Sequence, residues 1–167
     1  MEGVPSGVAL LVVDVQHGYM KDETRHVPDA IRAYLDRHAD EFQRVVATRF
    51  VNTRDSPLAR LRDYDRMTGP PDTDLCDGIA RPGVEVVTKS TYSALGEPDA
   101  QPLLDARTLY IAGLNTENCV LANAFAAFDR GIDPVVLASL CASSHGRNAH
   151  EAGLAVMRTV TGIRVLD

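Results

Sequence analysis

The sequence predicts an α/β fold built on a doubly wound parallel sheet, and three observations carry that prediction. Short apolar runs alternate with stretches of helical periodicity along the chain, the pattern of strands joined by crossover helices. The first run, Val8–Val13, is apolar at every position, as a strand covered on both faces requires. No internal repeat or low-complexity tract interrupts the alternation, and right-handed crossovers then make the sheet parallel.

Each element has a local reason. After the first strand, Ile31, Tyr34, Leu35, His38 and Phe42 mark one face of a helix entered near Pro28, a residue suited to a first helical turn. Residues 45–48 read as the second strand, and Ser56-Pro57 as the start of a second helix. A Pro/Gly-rich loop over residues 69–83 is long enough to cover an active site. Residues 84–88 and 108–112 follow as strands three and four. Thr116 is expected to N-cap a helix whose apolar face uses Val120, Ala124, Ala127 and Phe128, stopped by Gly131. Residues 132–138 form the fifth strand, with pairing expected to begin after Pro134. A last helix, with Ala149, Ala152, Val156 and Val160 on one face, leads to a final strand at 163–166.

A chain of 167 residues fits one domain, 1–167, large enough to bury roughly 70% of its unfolded surface. Its 45% hydrophobic and 24% charged residues are ordinary for a globular protein. A net charge of −6 without a dense Lys/Arg stripe argues against nucleic acid or an anionic membrane as partner. The Val8–Val13 run is too short to span a bilayer, and its flank lacks the basic residues of a signal peptide, so a cytoplasmic location is expected. Three cysteines without a CxxC pair argue against a disulfide framework or a structural zinc site. His17, His26, His38, His145 and His150 show no HxxxH or HExxH spacing, so no metal and no other cofactor is expected.

Position singles out three ionisable residues. Cys119 follows strand four at a strand-to-helix junction, where it would be the third helical residue, with an N–H lacking an intrahelical partner and a dipole favouring a thiolate. Such a junction also holds the oxyanion of acyl transfer. Asp14 ends strand one among apolar residues, where a carboxyl can accept and return a proton, although capping a turn is its plainer role. Lys89 follows strand three, either as an ordinary surface lysine or as the cation that supports a thiolate. Ligands in doubly wound sheets bind beyond the carboxyl ends of the strands, which gathers all three into one candidate site. Moving a proton from a thiol near ~8.5 to a carboxylate near ~3.9 is uphill by roughly 6 kcal/mol in water, so the surroundings must close that gap.

The chain resembles the isochorismatase-like cysteine hydrolases, a family that includes nicotinamidases, N-carbamoylsarcosine amidases and ureidoacrylate hydrolases. The resemblance rests on Val13-Asp14-Val15-Gln16, Thr48-Arg49-Phe50-Val51-Asn52, Lys89-Ser90-Thr91-Tyr92-Ser93-Ala94, Gly113-Leu114-Asn115-Thr116-Glu117-Asn118-Cys119-Val120, and Cys141-Ala142-Ser143 followed by His150. It implies a three-layer α/β/α sandwich, Rossmann-like, with a six-stranded parallel sheet. It further implies a Cys119–Asp14–Lys89 triad and a cis Leu114–Asn115 peptide aiming the Asn115 N–H, with that of Cys119, at an oxyanion. Self-association as a homodimer or homotetramer is implied as well.

Several positions depart from the family pattern. Tyr19 stands where many members have Phe, and Ser139 where an Asp is usual. The Asp-x-His metal motif of nicotinamidase-like members is replaced by Arg49-Phe50-Val51-Asn52. Members acting on isochorismate lack the cysteine that is present here as Cys119. The expected activity is therefore metal-independent hydrolysis of a small-molecule amide or related C–N bond through a thioester, with Tyr19, Phe50 and Tyr92 as pocket walls. The alternatives are a non-catalytic binding or scaffold protein of the same fold and a redox-sensing thiol.

Overall fold

The computed structural model describes residues 7–159 and 163–167. Its strands are β1 (Val8–Val13), β2 (Arg44–Phe50), β3 (Val84–Lys89), β4 (Thr108–Leu114), β5 (Asp133–Ala142) and β6 (Arg164–Leu166). Its helices are α1 (Val27–His38), α2 (Pro57–Arg62), α3 (Gln101–Leu104), α4 (Leu121–Phe128) and α5 (Arg147–Thr159). A π-helical turn, Thr116–Val120, runs directly into α4. All six strands pair in parallel, in the order β3-β2-β1-β4-β5-β6. This is the doubly wound α/β sheet that the alternation predicts.

The strand order reverses between β1 and β4, and the crevice beyond such a reversal is where open α/β sheets bind ligands. Asp14 leaves β1 there, and the turn carrying Cys119 leaves β4. β1 is central because both its faces are apolar: Leu11 and Val13 join one buried cluster with Ile111, Ala124 and Met157, while Leu10 and Val12 join another with Ile31 and Leu35. At the reversal, Gly113 has φ +118, and a Cβ there would collide with the Val13 backbone. Only glycine lets the two strands close to pairing distance at that point.

Four local expectations need correction. α1 ends at His38, and a 3-10 turn over Ala39–Glu41 intervenes before Phe42, which reaches the same core from beyond the helix and stacks edge-on against Tyr110 at 5.5 Å. β5 starts at Asp133 and includes Pro134, paired with Leu109. The proline is tolerated because Asp133 N–H donates to Arg107 O, just before β4, while β6 begins pairing only opposite Val135, so no bond is lost at Pro134. α5 buries Gly153, Leu154 and Met157, leaving Ala152 and Val156 exposed and Ala149 half-buried; Val160 lies outside the described residues. The reason is Gly153, which lies so close to the π-helical turn that an added Cβ would stand 2.8 Å from Glu117 Cα. On α4, Ala124 and Ala127 are buried as expected with Val120 just before them, but Phe128 is 55% exposed.

The loop over residues 69–83 is anchored to the core and to the segment after Asp14. Cys76 and Ile79 are buried in the core, while its first half lies along the segment after Asp14. Gln16 bridges to Leu75, His17 N–H donates to Asp74 O at 3.0 Å and Gly18 N–H to Asp72 O at 2.9 Å.

Candidate active site

Asp14 leaves β1 in the left-handed region, φ 47, which Asp tolerates better than most side chains. Its carboxylate is fully buried and every contact is specific. Thr48 of β2 donates its hydroxyl to Oδ1 at 2.7 Å and accepts the Asp14 N–H at 3.1 Å. Lys89 closes β3 in register with Phe50, and its Nζ lies 2.6 Å from Asp14 Oδ2, 3.0 Å from Thr91 O and 3.5 Å from Cys119 Sγ. All three ammonium protons thus have acceptors. The Phe50 ring lies beneath, its centroid 5.2 Å from Nζ.

The structure therefore brings Asp14, Lys89 and Cys119 into one buried cluster from the ends of three different strands. Burial works against the ammonium, but Asp14 and then Cys119 more than offset it, so the Lys89 pKa is raised and the lysine stays charged. At Cys119 burial acts against the thiolate that a helix start favours. Burial and then the Asp14 carboxylate push its pKa up, and Lys89 counters only part of this. Burial and the neighbouring carboxylate thus favour the protonated thiol beside the Asp14–Lys89 ion pair.

The local helix also differs from the one expected. Thr116 does not cap it: its hydroxyl lies 3.1 Å from Ala142 O and 2.7 Å from His150 Nδ1. Since the single hydroxyl proton goes to Ala142 O, His150 Nδ1 carries the proton and donates to Thr116. Asn115 occupies the cap position instead, after a cis Leu114–Asn115 peptide bond. Its carbonyl accepts from Asn118 N–H at 3.0 Å and from Val120 N–H at 3.2 Å, the second being the i→i−5 bond that makes the turn π-helical. Cys119 is accordingly the fourth residue of the turn, not the third. The Asn115 side chain is held by Ser144, through Nδ2 to Oγ at 3.0 Å and Oδ1 from N–H at 2.8 Å.

The three residues expected to wall a pocket occupy different settings. Tyr19 faces the cluster; burial and then the nearby Asp14 and Cys119 raise its phenol pKa, so it stays neutral. Phe50 is buried under Lys89. Tyr92 is 48% exposed and lines a shallow groove with Pro57, Leu58 and Leu61.

Two side chains that organise the site had no assigned part in the sequence reading. Gln16 is fully buried, donating through Nε2 to Phe50 O and Thr73 O, both at 2.9 Å, and accepting Phe50 N–H at 2.9 Å. It ties the ends of β1 and β2 to the loop over residues 69–83. Asn123, the one polar residue among the eight of α4, is also fully buried. A lone amide inside an apolar helix was the visible signal for it.

Known proteins provide the context for this geometry. The fold is similar to nicotinamidase from Bacillus subtilis (TM-score 0.82, 23% identity, 96% of this chain and 99% of that one covered). It is similar to N-carbamoylsarcosine amidase from Thermoplasma acidophilum (TM-score 0.79, 22% identity, 95% and 94% covered). A third similar structure is pyrazinamidase of Pyrococcus horikoshii in complex with zinc (TM-score 0.80, 20% identity, 96% and 99% covered). No curated protein sequence matches the chain. The isochorismatase domain model matches residues 8–166, almost the full length, and the chain belongs to the isochorismatase family of hydrolases.

Proposed function

We propose that this hydrolase cleaves a small-molecule amide or related C–N bond, with Cys119 as nucleophile, Asp14 as acid and base, and Lys89 as the cation serving both. The observation that carries the reading is the buried Lys89 ammonium, 2.6 Å from Asp14 and 3.5 Å from Cys119. The amidase and nicotinamidase names of structural neighbours support the bond type.

In this reading the neutral thiol transfers its proton to Asp14 as the sulfur attacks the carbonyl carbon. Proton transfer and attack are coupled, because burial opposes a free thiolate beforehand. The backbone N–H groups of Asn115 and Cys119 receive the oxyanion. Protonated Asp14 then gives its proton to the nitrogen as the C–N bond breaks, and the amine leaves a thioester on Cys119. A water molecule, deprotonated by Asp14, cleaves the thioester and releases the acid, and the proton returns to sulfur. Lys89 keeps the carboxylate from repelling the charge that grows on sulfur.

Among the described residues, zinc, named for the Pyrococcus protein, finds no matching set of donors. Asn52 commits its amide to Tyr64 O at 2.6 Å and Arg66 O at 3.0 Å, while its Oδ1 accepts from Ser56. Among the described residues no three His, Cys, Asp or Glu side chains converge as metal ligands would. No step passes through a metal.

The test is a screen of small amides, ureas and carbamoyl compounds against the intact protein and its Cys119→Ser variant. Hydrolysis by the first alone, with an acyl mass adduct trapped on residue 119, is the expected result. Turnover that survives the substitution would overturn the mechanism. The same reading treats residues 1–167 as one catalytic domain of a cytoplasmic homo-oligomer, and light scattering gives the subunit number. Among the described residues, no helix is long and apolar enough to cross a membrane.

A further inference from the structure

Lys89 and Cys119 lie on separate segments, and one 3.5 Å bond to sulfur, a weak acceptor, does not hold those segments together by itself. The residues that follow Lys89 have to be held by something else. Thr91 O accepts one ammonium proton at 3.0 Å, so the position of residues 90–94 fixes where the ammonium sits.

Asn123 is bonded to both sides. Its Nδ2 donates to Cys119 O at 2.7 Å and, at 3.4 Å, to Tyr92 O. Its Oδ1 accepts from Ala94 N–H at 2.9 Å and from the Ser93 hydroxyl at 3.4 Å. Asn123 and Ala94 are both fully buried, so water cannot replace these bonds. One planar amide therefore joins the nucleophile's own carbonyl to the segment that carries the Thr91 carbonyl.

We propose that Asn123 is a positioning residue that sets the spacing between the Lys89 ammonium and the Cys119 sulfur. The inference rests on the reading of Cys119 as nucleophile. Without the amide, Ala94 N–H loses its acceptor, residues 90–94 move to find another, and the ammonium moves away from sulfur. A more distant cation supports less negative charge on sulfur, so the thiol becomes less reactive.

The test uses the full chain and iodoacetamide, with labelling at Cys119, Cys76 and Cys141 followed separately by peptide mass spectrometry. Two variants are compared with the unsubstituted protein. Asn123→Ala removes every bond. Asn123→Ser keeps a hydroxyl that donates to the carbonyl four residues back, here Cys119 O, but is too short for Ala94 N–H.

In both variants the Cys119 labelling rate is expected to fall about tenfold at each neutral to mildly alkaline pH, the effect of one pKa unit. Cys76 and Cys141 are expected to keep their rates. A merely structural role has the opposite sign, because a loosened fold exposes buried thiols and raises all three rates. That result, or an unchanged Cys119 profile in folded variants, would overturn the role of Asn123 alone. Should Asn123→Ala unfold, the serine variant decides, and unfolding of both would make Asn123 a determinant of the fold rather than of the spacing. Equal labelling of the three thiols in the unsubstituted protein would overturn the nucleophile reading as well.

Discussion

Among the described residues, two ion pairs join β3 to an inner strand or strand end, one at each edge of the sheet. At the amino edge Arg44 Nη1 meets Glu85 Oε1 at 2.6 Å, with side chains 43% and 51% exposed. At the carboxyl edge Lys89 Nζ meets Asp14 Oδ2 at the same 2.6 Å, with both side chains wholly buried. Equal lengths conceal unequal physics. Water and salt screen the first pair, and holding two long side chains in place costs entropy. The second pair has given up its hydration and depends on its neighbours: Thr48 on one carboxylate oxygen, Thr91 O and Cys119 on the ammonium. Charge at the amino edge decorates the fold, whereas charge at the carboxyl edge constrains it.

The sharpest way to test that contrast is activity. Cys119→Ala is expected to abolish hydrolysis of any substrate found in the screen while the protein still unfolds cooperatively, whereas Glu85→Ala is expected to leave turnover unchanged. Steady-state assays on both variants check this.

Stability comes next. Lys89→Met strands the buried Asp14 carboxylate and is expected to cost about 3–5 kcal/mol in urea unfolding, besides removing activity. Adding Asp14→Asn to that variant is expected to restore part of the loss without restoring activity, since the pair is then replaced instead of broken.

A pH experiment separates the buried thiols from the exposed charges. Burial pushes the Cys141 pKa from 9.0 up to about 12. The folded protein therefore keeps a proton that the unfolded chain releases, so this contribution is intact below pH 9 and is lost as pH rises toward about 12. Lys89, also raised, acts in the same direction above 10.5. Thermal melts across that range are expected to show stability falling with pH, less steeply in Cys141→Ala. The smallest effect belongs to the amino edge: Arg44→Ala is expected to change unfolding free energy by no more than about 1 kcal/mol, and by less in high salt.

Much of the site was legible because topology converts sequence position into space. Asp14, Lys89 and Cys119 each follow an apolar run, and a parallel sheet delivers such residues to one edge. The fold class followed from the same runs. What stayed hidden depends on contacts between segments distant in sequence. The buried face of α5 is set by Gly153 against Glu117, which periodicity within the helix cannot reveal. The upward push on the Cys119 pKa comes from burial of the sulfur and the nearby Asp14 carboxylate, whereas the sequence displayed only a helix start. Thr116 has the chemistry of a cap, yet Ala142 and His150 claim its hydroxyl from across the fold.

The turn from Thr116 to Val120 closes its hydrogen bond over five residues, one more than an α-helix uses. Dropping Asn118 would let that stretch relax to ordinary winding and swing the sulfur about 100° around the helix axis, away from its carboxylate. The catalytic geometry thus depends on a count of residues as much as on their identity. A one-codon deletion would silence the protein while Asp14, Lys89 and Cys119 all remained in the chain.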